Sequence, residues 1–216
     1  MRNRFDKKLL ELNNNLIEMG ALCEEAIEKV SESLIHGDIE LARYVLSNAY
    51  SIDHMERDIE RLGMNLLLHQ QPVAKDLRVI TSALKMIKDM ERIGDQAEDI
   101  ADLVILLNGH AIENVNEIGK MATEAAKMVR CSIDAFVNKD LSIAKEVIKL
   151  DDAVDALFLD VKNDIIRLIS DNKNDGEFDL DILMIAKYLE RIGDHATNIA
   201  ETVIYSITGN ADLKTK

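Results

Sequence analysis

Glu91, Asp95, Asp99 and Asp102 stand four, four and three residues apart, and Glu190, Asp194, Asn198 and Glu201 repeat that spacing. On a helical wheel with Glu91 at the origin, Asp95, Asp99 and Asp102 fall near 40°, 80° and 20°, at about 100° per residue. Met86, Ile93, Ala97, Ile100 and Val104 gather on the far side, as Ile185, Ile192, Ala196, Ile199 and Val203 do in the second copy. An acidic stripe opposite an apolar one is also the ordinary look of a solvated helix face. Like charges at i, i+4 cost only about 0.2–0.5 kcal/mol per pair. Two features go beyond that. The stripe occurs twice, and each copy has an acidic partner on the preceding helix. Asp151 and Asp155 share one face there, and Asp53 holds the place of Asp155 in the first half. Two antiparallel helices can turn such carboxylates toward one point, where they repel one another unless a cation sits among them. Oxygen ligands favour Mg, Ca, Mn or ferric iron over a thiolate-seeking metal.

Other chemistries find less support. No P-loop, Gly-rich nucleotide fingerprint or GxSxG occurs, and none of the five His stands in an ExxH or HExxH spacing. His195, beside Asp194, reads as a packing or surface residue rather than a ligand. Paired carboxylates can cleave glycosides, but with four Tyr, four Phe and no Trp a sugar cleft has few platforms. Cys23 and Cys131 lack CxxC spacing and sit in helical patterns, as small buried hydrophobes do. Gly94 and Gly193 interrupt their helices at a cost of about 0.8–1.0 kcal/mol against Ala, which suggests close helix–helix approach. Arg92 is placed to pair with an acid on its own helix or to reach a partner.

The elements that must hold these residues are long helices. The chain has 216 residues, one Pro and nine Gly, and 47% of it is hydrophobic while only 4% is aromatic. That composition predicts an aliphatic helical core. The net charge of −14 argues against nucleic acid or an anionic membrane surface as the main partner. No apolar run is long enough to span a bilayer, and the first residues show no secretory pattern. A cytoplasmic protein is expected. Breaks at His36-Gly37-Asp38, Gln70-Gln71-Pro72, Asn108-Gly109-His110, Asn138-Lys139-Asp140 and Asp171–Gly176 leave six amphipathic stretches. These run over roughly 4–35, 39–69, 73–107, 112–137, 141–170 and 179–208. Asp38 is a plausible N-cap, and Pro72 suits a first helical turn.

An internal repeat organises them. Asp38–Leu46 matches Asp140–Ile148 at a shift of 102 residues, and Met90–Asp102 matches Leu189–Glu201 at a shift of 99, with eight of thirteen positions identical. The expected fold is all-α, with two tandem three-helix bundles related by a pseudo-two-fold. The halves are residues 1–108 and 109–216.

Glu91-Arg-Ile-Gly-Asp95, Glu190-Arg-Ile-Gly-Asp194, Gln70-Gln-Pro-Val-Ala-Lys-Asp-Leu-Arg78 and the opening Met1-Arg-Asn-Arg-Phe-Asp6 together resemble the signature of the PhoU family of phosphate-uptake regulators. The resemblance implies a six-helix, two-bundle fold and multinuclear metal binding through paired acid-xxx-acid motifs. Iron, zinc, manganese and magnesium are the candidate ions. The ligands expected are Asp53, Glu91, Asp95 and Asp99 in the first half and Asp151, Asp155, Glu190, Asp194 and Asn198 in the second. Ala49 stands where the first half lacks an acid, so a weaker first site is expected, with Glu56 as a possible substitute. The resemblance also implies a homodimeric signalling adaptor rather than an enzyme. Such an adaptor links the ATPase subunit of a phosphate ABC transporter to a sensor histidine kinase, at the inner face of the plasma membrane, and restrains the phosphate-starvation response. The alternatives are a metal-dependent hydrolase or oxidase and a purely structural scaffold.

Overall fold

The computed structural model describes residues 2–70, 72–109, 116–170 and 176–210. Six helices run in order: α1 (Arg2–His36), α2 (Ile39–Gln70), α3 (Ala74–Leu106), α4 (Asn116–Asn138), α5 (Leu141–Ser170) and α6 (Gly176–Thr208). Among the described residues there is no strand. Of the expected breaks, His110, residues 171–175 and Gln71 lie outside the described residues, as do residues 112–115 of the fourth expected stretch.

Aliphatic spacing decides how the helices pack. In α1 the fully buried Leu12, Leu16, Met19, Cys23, Ile27 and Val30 recur every three or four residues, the period that keeps one seam facing a neighbour. Helices α1, α2 and α3 pack mutually, as do α4, α5 and α6. The two bundles join through α1 against α4 and α3 against α6. That is the pseudo-two-fold pair of bundles predicted from the repeat. α3 and α6, like α1 and α4, each pack on three other helices, whereas α2 and α5 pack on two. The buried residues of α3 and α6 include small ones such as Gly94, Ala97 and Ala101, or Gly193, Ala196 and Ala200. A Cβ added to Gly94 would stand 3.0 Å from Ile52 Cδ1, and one on Gly193 3.4 Å from Asp151 Oδ1. Both glycines thus admit the facing helix, α2 in one half and α5 in the other.

The helix starts follow the expected punctuation, with one shift. Asp38 caps α2 by accepting from the Leu41 amide at 3.1 Å, and Asp140 caps α5 by accepting from the Ser142 and Ile143 amides at 2.7 and 3.2 Å. Each such cap contributes about 1 kcal/mol. Pro72 does not sit in the first turn of α3. Val73 is the N-cap residue, so the proline lies one place further out and fixes the entry of the chain.

The two matched turns differ at their left-handed position. Gly37 takes the left-handed conformation at φ +65°, and its counterpart Lys139 takes φ +54°. A side chain in that region costs about 1–2 kcal/mol, partly offset by the greater freedom glycine has when unfolded. Lys139→Gly should therefore raise the unfolding free energy by about 0.5–1 kcal/mol in a urea titration, and Gly37→Lys should lower it by a similar amount. An unchanged midpoint for both variants would show that the turns are not strained.

Candidate metal centre

The acidic stripes of α3 and α6 face the preceding helix of their own half. In the first half, Glu91 is held above its ordinary ionisation range chiefly by burial, then by Asp95, with Asp53 and Glu56 of α2 adding to it; Arg92 opposes the shift. In the second half, Asp151 of α5 is pushed up to about 6 by burial and then by Asp155 and Asp194, while the Thr197 hydroxyl acts in the opposite direction. Asp194 is raised by burial and then by Glu190, with Asp155 adding and Lys187 opposing. Like charges therefore do meet across α2–α3 and across α5–α6.

A large perturbation also falls on Glu98, a residue the repeat hides. Its carboxyl is pushed up to about 7 by burial, then by Asp95 and by Asp53 across the helix pair, with Asp99 and Asp102 contributing. On the wheel it lies near 340°, just beyond Glu91 at the edge of the acidic stripe. Its counterpart at a shift of 99 residues is Thr197, so matching the two halves passes over it. The Thr197 hydroxyl faces Asp151 across α5–α6 and is buried without a hydrogen-bond partner among the described residues.

Asp99 and Asn198 stand apart from these groups. Asp99 is raised by burial and by Asp95 and Asp102, and the opposing charge beside it is Arg191 of α6. It also acts on Tyr188 of α6. Asn198 donates its amide to Asp89 Oδ1 of α3 at 3.3 Å. The two matched residues thus border the α3–α6 seam. Glu201 lines a cleft on the same seam, with Thr81, Ser82 and Lys85. His195 belongs there too, its Nδ1 3.0 Å from Asp89 Oδ1 and donating to that carboxylate, so it packs between the bundles as expected.

The cations near the stripes are engaged. Arg92 bonds Asp95 at 2.7 Å and lies 3.6 Å from Glu91, which settles its partner on its own helix. Lys88 bonds Glu56 and lies 3.9 Å from Glu60, so Glu56, the expected substitute for an acid at position 49, is paired across α2–α3. The matched lysine, Lys187, bonds Glu190 and sits over the Phe158 ring at 5.4 Å, because position 158 offers it no acid. Cys23 donates to the Met90 carbonyl at 3.3 Å, and burial pushes its thiol up to about 12, far from reactivity.

As a donor set the stripes fit a hard cation in kind. Their carboxylates offer oxygen, and neither thiol lies among them. In arrangement they are open: among the described residues no three Asp, Glu, His or Cys side chains are gathered closely enough to hold an ion as they stand. The helices fix the backbones, and the side chains, half-buried or exposed, have to turn inward to close on a ligand.

Fold and site together define a class: an all-helical protein of two joined three-helix bundles, each carrying carboxylates across one helix pair. A family model described as "PhoU domain" matches residues 16–104 and again residues 118–203. The chain belongs to the PhoU family. A relative from Clostridium acetobutylicum, named phosphate-specific transport system accessory protein PhoU homolog, is 39% identical over 210 residues, covering 96% of each chain. A relative of the same name from Pseudomonas aeruginosa is 34% identical over 95% of this chain and 86% of its own. The crystal structure of PhoU from Pseudomonas aeruginosa superposes with a TM-score of 0.91 and 34% identity, covering 95% of this chain and all of that one. That of the phosphate transport system regulatory protein PhoU from Streptococcus pneumoniae gives 0.89 at 27% identity, over 96% and 98% of the two chains.

A carboxyl whose folded-state pKa is raised favours the folded state below its unfolded value. That contribution is lost as pH rises through the folded one. For Glu98 the window runs from the ordinary carboxylate range to about 7. Glu98→Gln should therefore unfold at a higher temperature than the wild type at pH 8 in the presence of a chelator, and the gain should shrink toward pH 4. Equal melting temperatures at both pH values would show that Glu98 feels no repulsion.

Proposed function

We propose that this protein is the accessory, negative regulator of a phosphate-specific transport system, working as an adaptor and not as an enzyme. The observation that carries the reading is the likeness to accessory proteins of that system along nearly the whole chain, in both halves and in three dimensions. Its partners on this reading are the transporter's ATPase subunit and the cytoplasmic part of a sensor histidine kinase, and it acts as a homodimer at the inner face of the plasma membrane. No described helix is long and apolar enough to cross a membrane, so contact with the transporter would run through its protein surfaces. Removing the gene from its host should raise transcripts of phosphate-uptake genes at high phosphate; unchanged transcripts would overturn the reading.

The carboxylate seams are metal sites on this proposal. Asp151, Asp155, Glu190 and Asp194 hold one group of ions, and Asp53, Glu91 and Asp95 hold the other. A bound cation supplies positive charge where like charges meet, which turns a repulsive helix pair into a braced one. The protein's own part is to hold the backbones at fixed spacing on rigid helices and to leave the carboxylates able to turn. Elemental analysis of purified protein tests the metal assignment directly. Asp151→Ala with Asp155→Ala should lose the metal of the second half, and unchanged stoichiometry would contradict it. Chelation should lower the melting temperature of the wild type more than that of the double variant.

A further inference from the structure

The motif Gln70–Arg78 runs into the first turns of α3, and its last residue begins a polar row on that helix. Arg78, Ser82 and Lys85 follow one another at four and three residues, so they share one face. α6 packs antiparallel beside it and brings Glu201, Thr202 and Tyr205 to the same level. A cleft of about 440 Å³ lies between the two helices, lined by Thr81, Ser82, Lys85, Glu201, Thr202 and Tyr205. That is the size of a small-molecule site.

Hydrogen bonding separates the groups that are already committed from those that are not. Thr81 donates to the Leu77 carbonyl at 2.9 Å, and Thr202 to the Asn198 carbonyl at 2.8 Å. Ser82 is 2% exposed, yet its hydroxyl has no partner, not even the Arg78 carbonyl one turn back. Buried hydroxyls are rarely left so. The side chains of Lys85, Tyr205 and Glu201 make no hydrogen bond or ion pair with other described residues. Arg78 stands one turn away, its guanidinium carbon 3.5 Å from where a Gly209 Cβ would be and its buried Nε without an acceptor. The chain's charge of −14 is spread over the whole molecule and screened beyond about 8 Å, so Arg78 and Lys85 against Glu201 set the local sign.

The repeat supplies an internal control. At a shift of 99 residues, Arg78, Ser82 and Lys85 become Glu177, Asp181 and Met184, while Thr202 and Tyr205 answer to Leu103 and Leu106. The same helix pair therefore carries neither cations nor hydroxyls at these places toward its other end. Packing of α3 on α6 does not require them.

We infer that this cleft binds a phosphate compound that brings a proton for Glu201. Lys85, Ser82 and Tyr205 donate to its oxygens, and Glu201 accepts from its P–OH or from a hydroxyl on its organic part. A carboxylate in an anion site repels a fully ionised oxyanion and accepts from a protonated one. Near neutral pH inorganic phosphate keeps a proton and a sugar phosphate carries hydroxyls, whereas sulfate offers neither. The inference stands on the cleft alone and needs neither the adaptor nor the metal reading.

The test uses the full chain at pH 7 with a chelator present, which removes metal-borne phosphate. Inorganic phosphate, ribose 5-phosphate and sulfate are titrated by calorimetry. Phosphate or ribose 5-phosphate should bind at least about tenfold more tightly than sulfate, and the tighter of the two identifies the source. Lys85→Gln should weaken that binding by at least about tenfold, the scale of one charge-assisted hydrogen bond. Ser82→Ala should weaken it by about threefold or more without lowering the melting temperature of the ligand-free protein, because the hydroxyl it removes has no partner in the fold. Glu201→Gln should admit sulfate and narrow the preference to within about threefold. Met184→Ala, at the place matched to Lys85, should leave binding unchanged. Failure of both phosphate compounds to bind, sulfate bound equally well by the wild type, or binding indifferent to Lys85→Gln overturns the inference. Far-ultraviolet circular dichroism of each variant confirms that a loss of binding is not a loss of fold.

Discussion

An aliphatic seam forces side chains of like charge to face one another. α2 and α3 pack through Ile52, Ile59, Ile93 and Ala97, and α5 and α6 through Val147, Val154, Ile192 and Ala196, all buried. Each fully buried aliphatic side chain contributes about 1.5–3 kcal/mol, whereas each exposed like-charge pair costs only a few tenths. The apolar term wins by a wide margin, so the carboxylates cannot part. They relieve the repulsion by taking up a proton more readily, as burial and neighbouring acids make Glu98 and Asp151 do, or by recruiting lysine or arginine, as Glu190 and Asp95 do. Everything proposed for the site follows from that imbalance.

The same imbalance explains why the halves are alike in fold and unlike in detail. Repeated glycines and aliphatics set the helix spacing, and that spacing tolerates little change. The polar positions are freer. Lys88 and Lys187 occupy matched places, yet one bonds an acid on the neighbouring helix and the other an acid on its own, according to whether position 56 or 158 carries a carboxylate. A duplicated scaffold has thus kept its packing while redistributing its charges.

The helices and their order were legible because aliphatic periodicity, capping aspartates and turn glycines all speak in local spacing. The stretch read as 141–170 is α5 itself, and the caps at Asp38 and Asp140 form as read. The site was only half legible. Comparing the halves selects residues that agree in both, so it found Glu91 with Glu190 and Asp95 with Asp194. It passed over Glu98, whose counterpart is a threonine. It also gathered Asp99 and Asn198 into the stripe, at positions that border the seam between bundles. The occupation of Glu56 depends on Lys88, 32 residues away, which no local pattern reports.

α3 runs without interruption for 33 residues, from the loop after Pro72 to the turn before Asn108. At 1.5 Å per residue that is a rod of roughly 50 Å, with its carboxylates in the half nearer its C-terminal end. A tilt of about 5° at that level would carry the far tip, some 25–30 Å away, through roughly 2 Å. Ionic events of ångström size in mid-molecule are in this way geared up into displacements at the hairpin ends, where Leu68, Val73 and Leu77 are exposed.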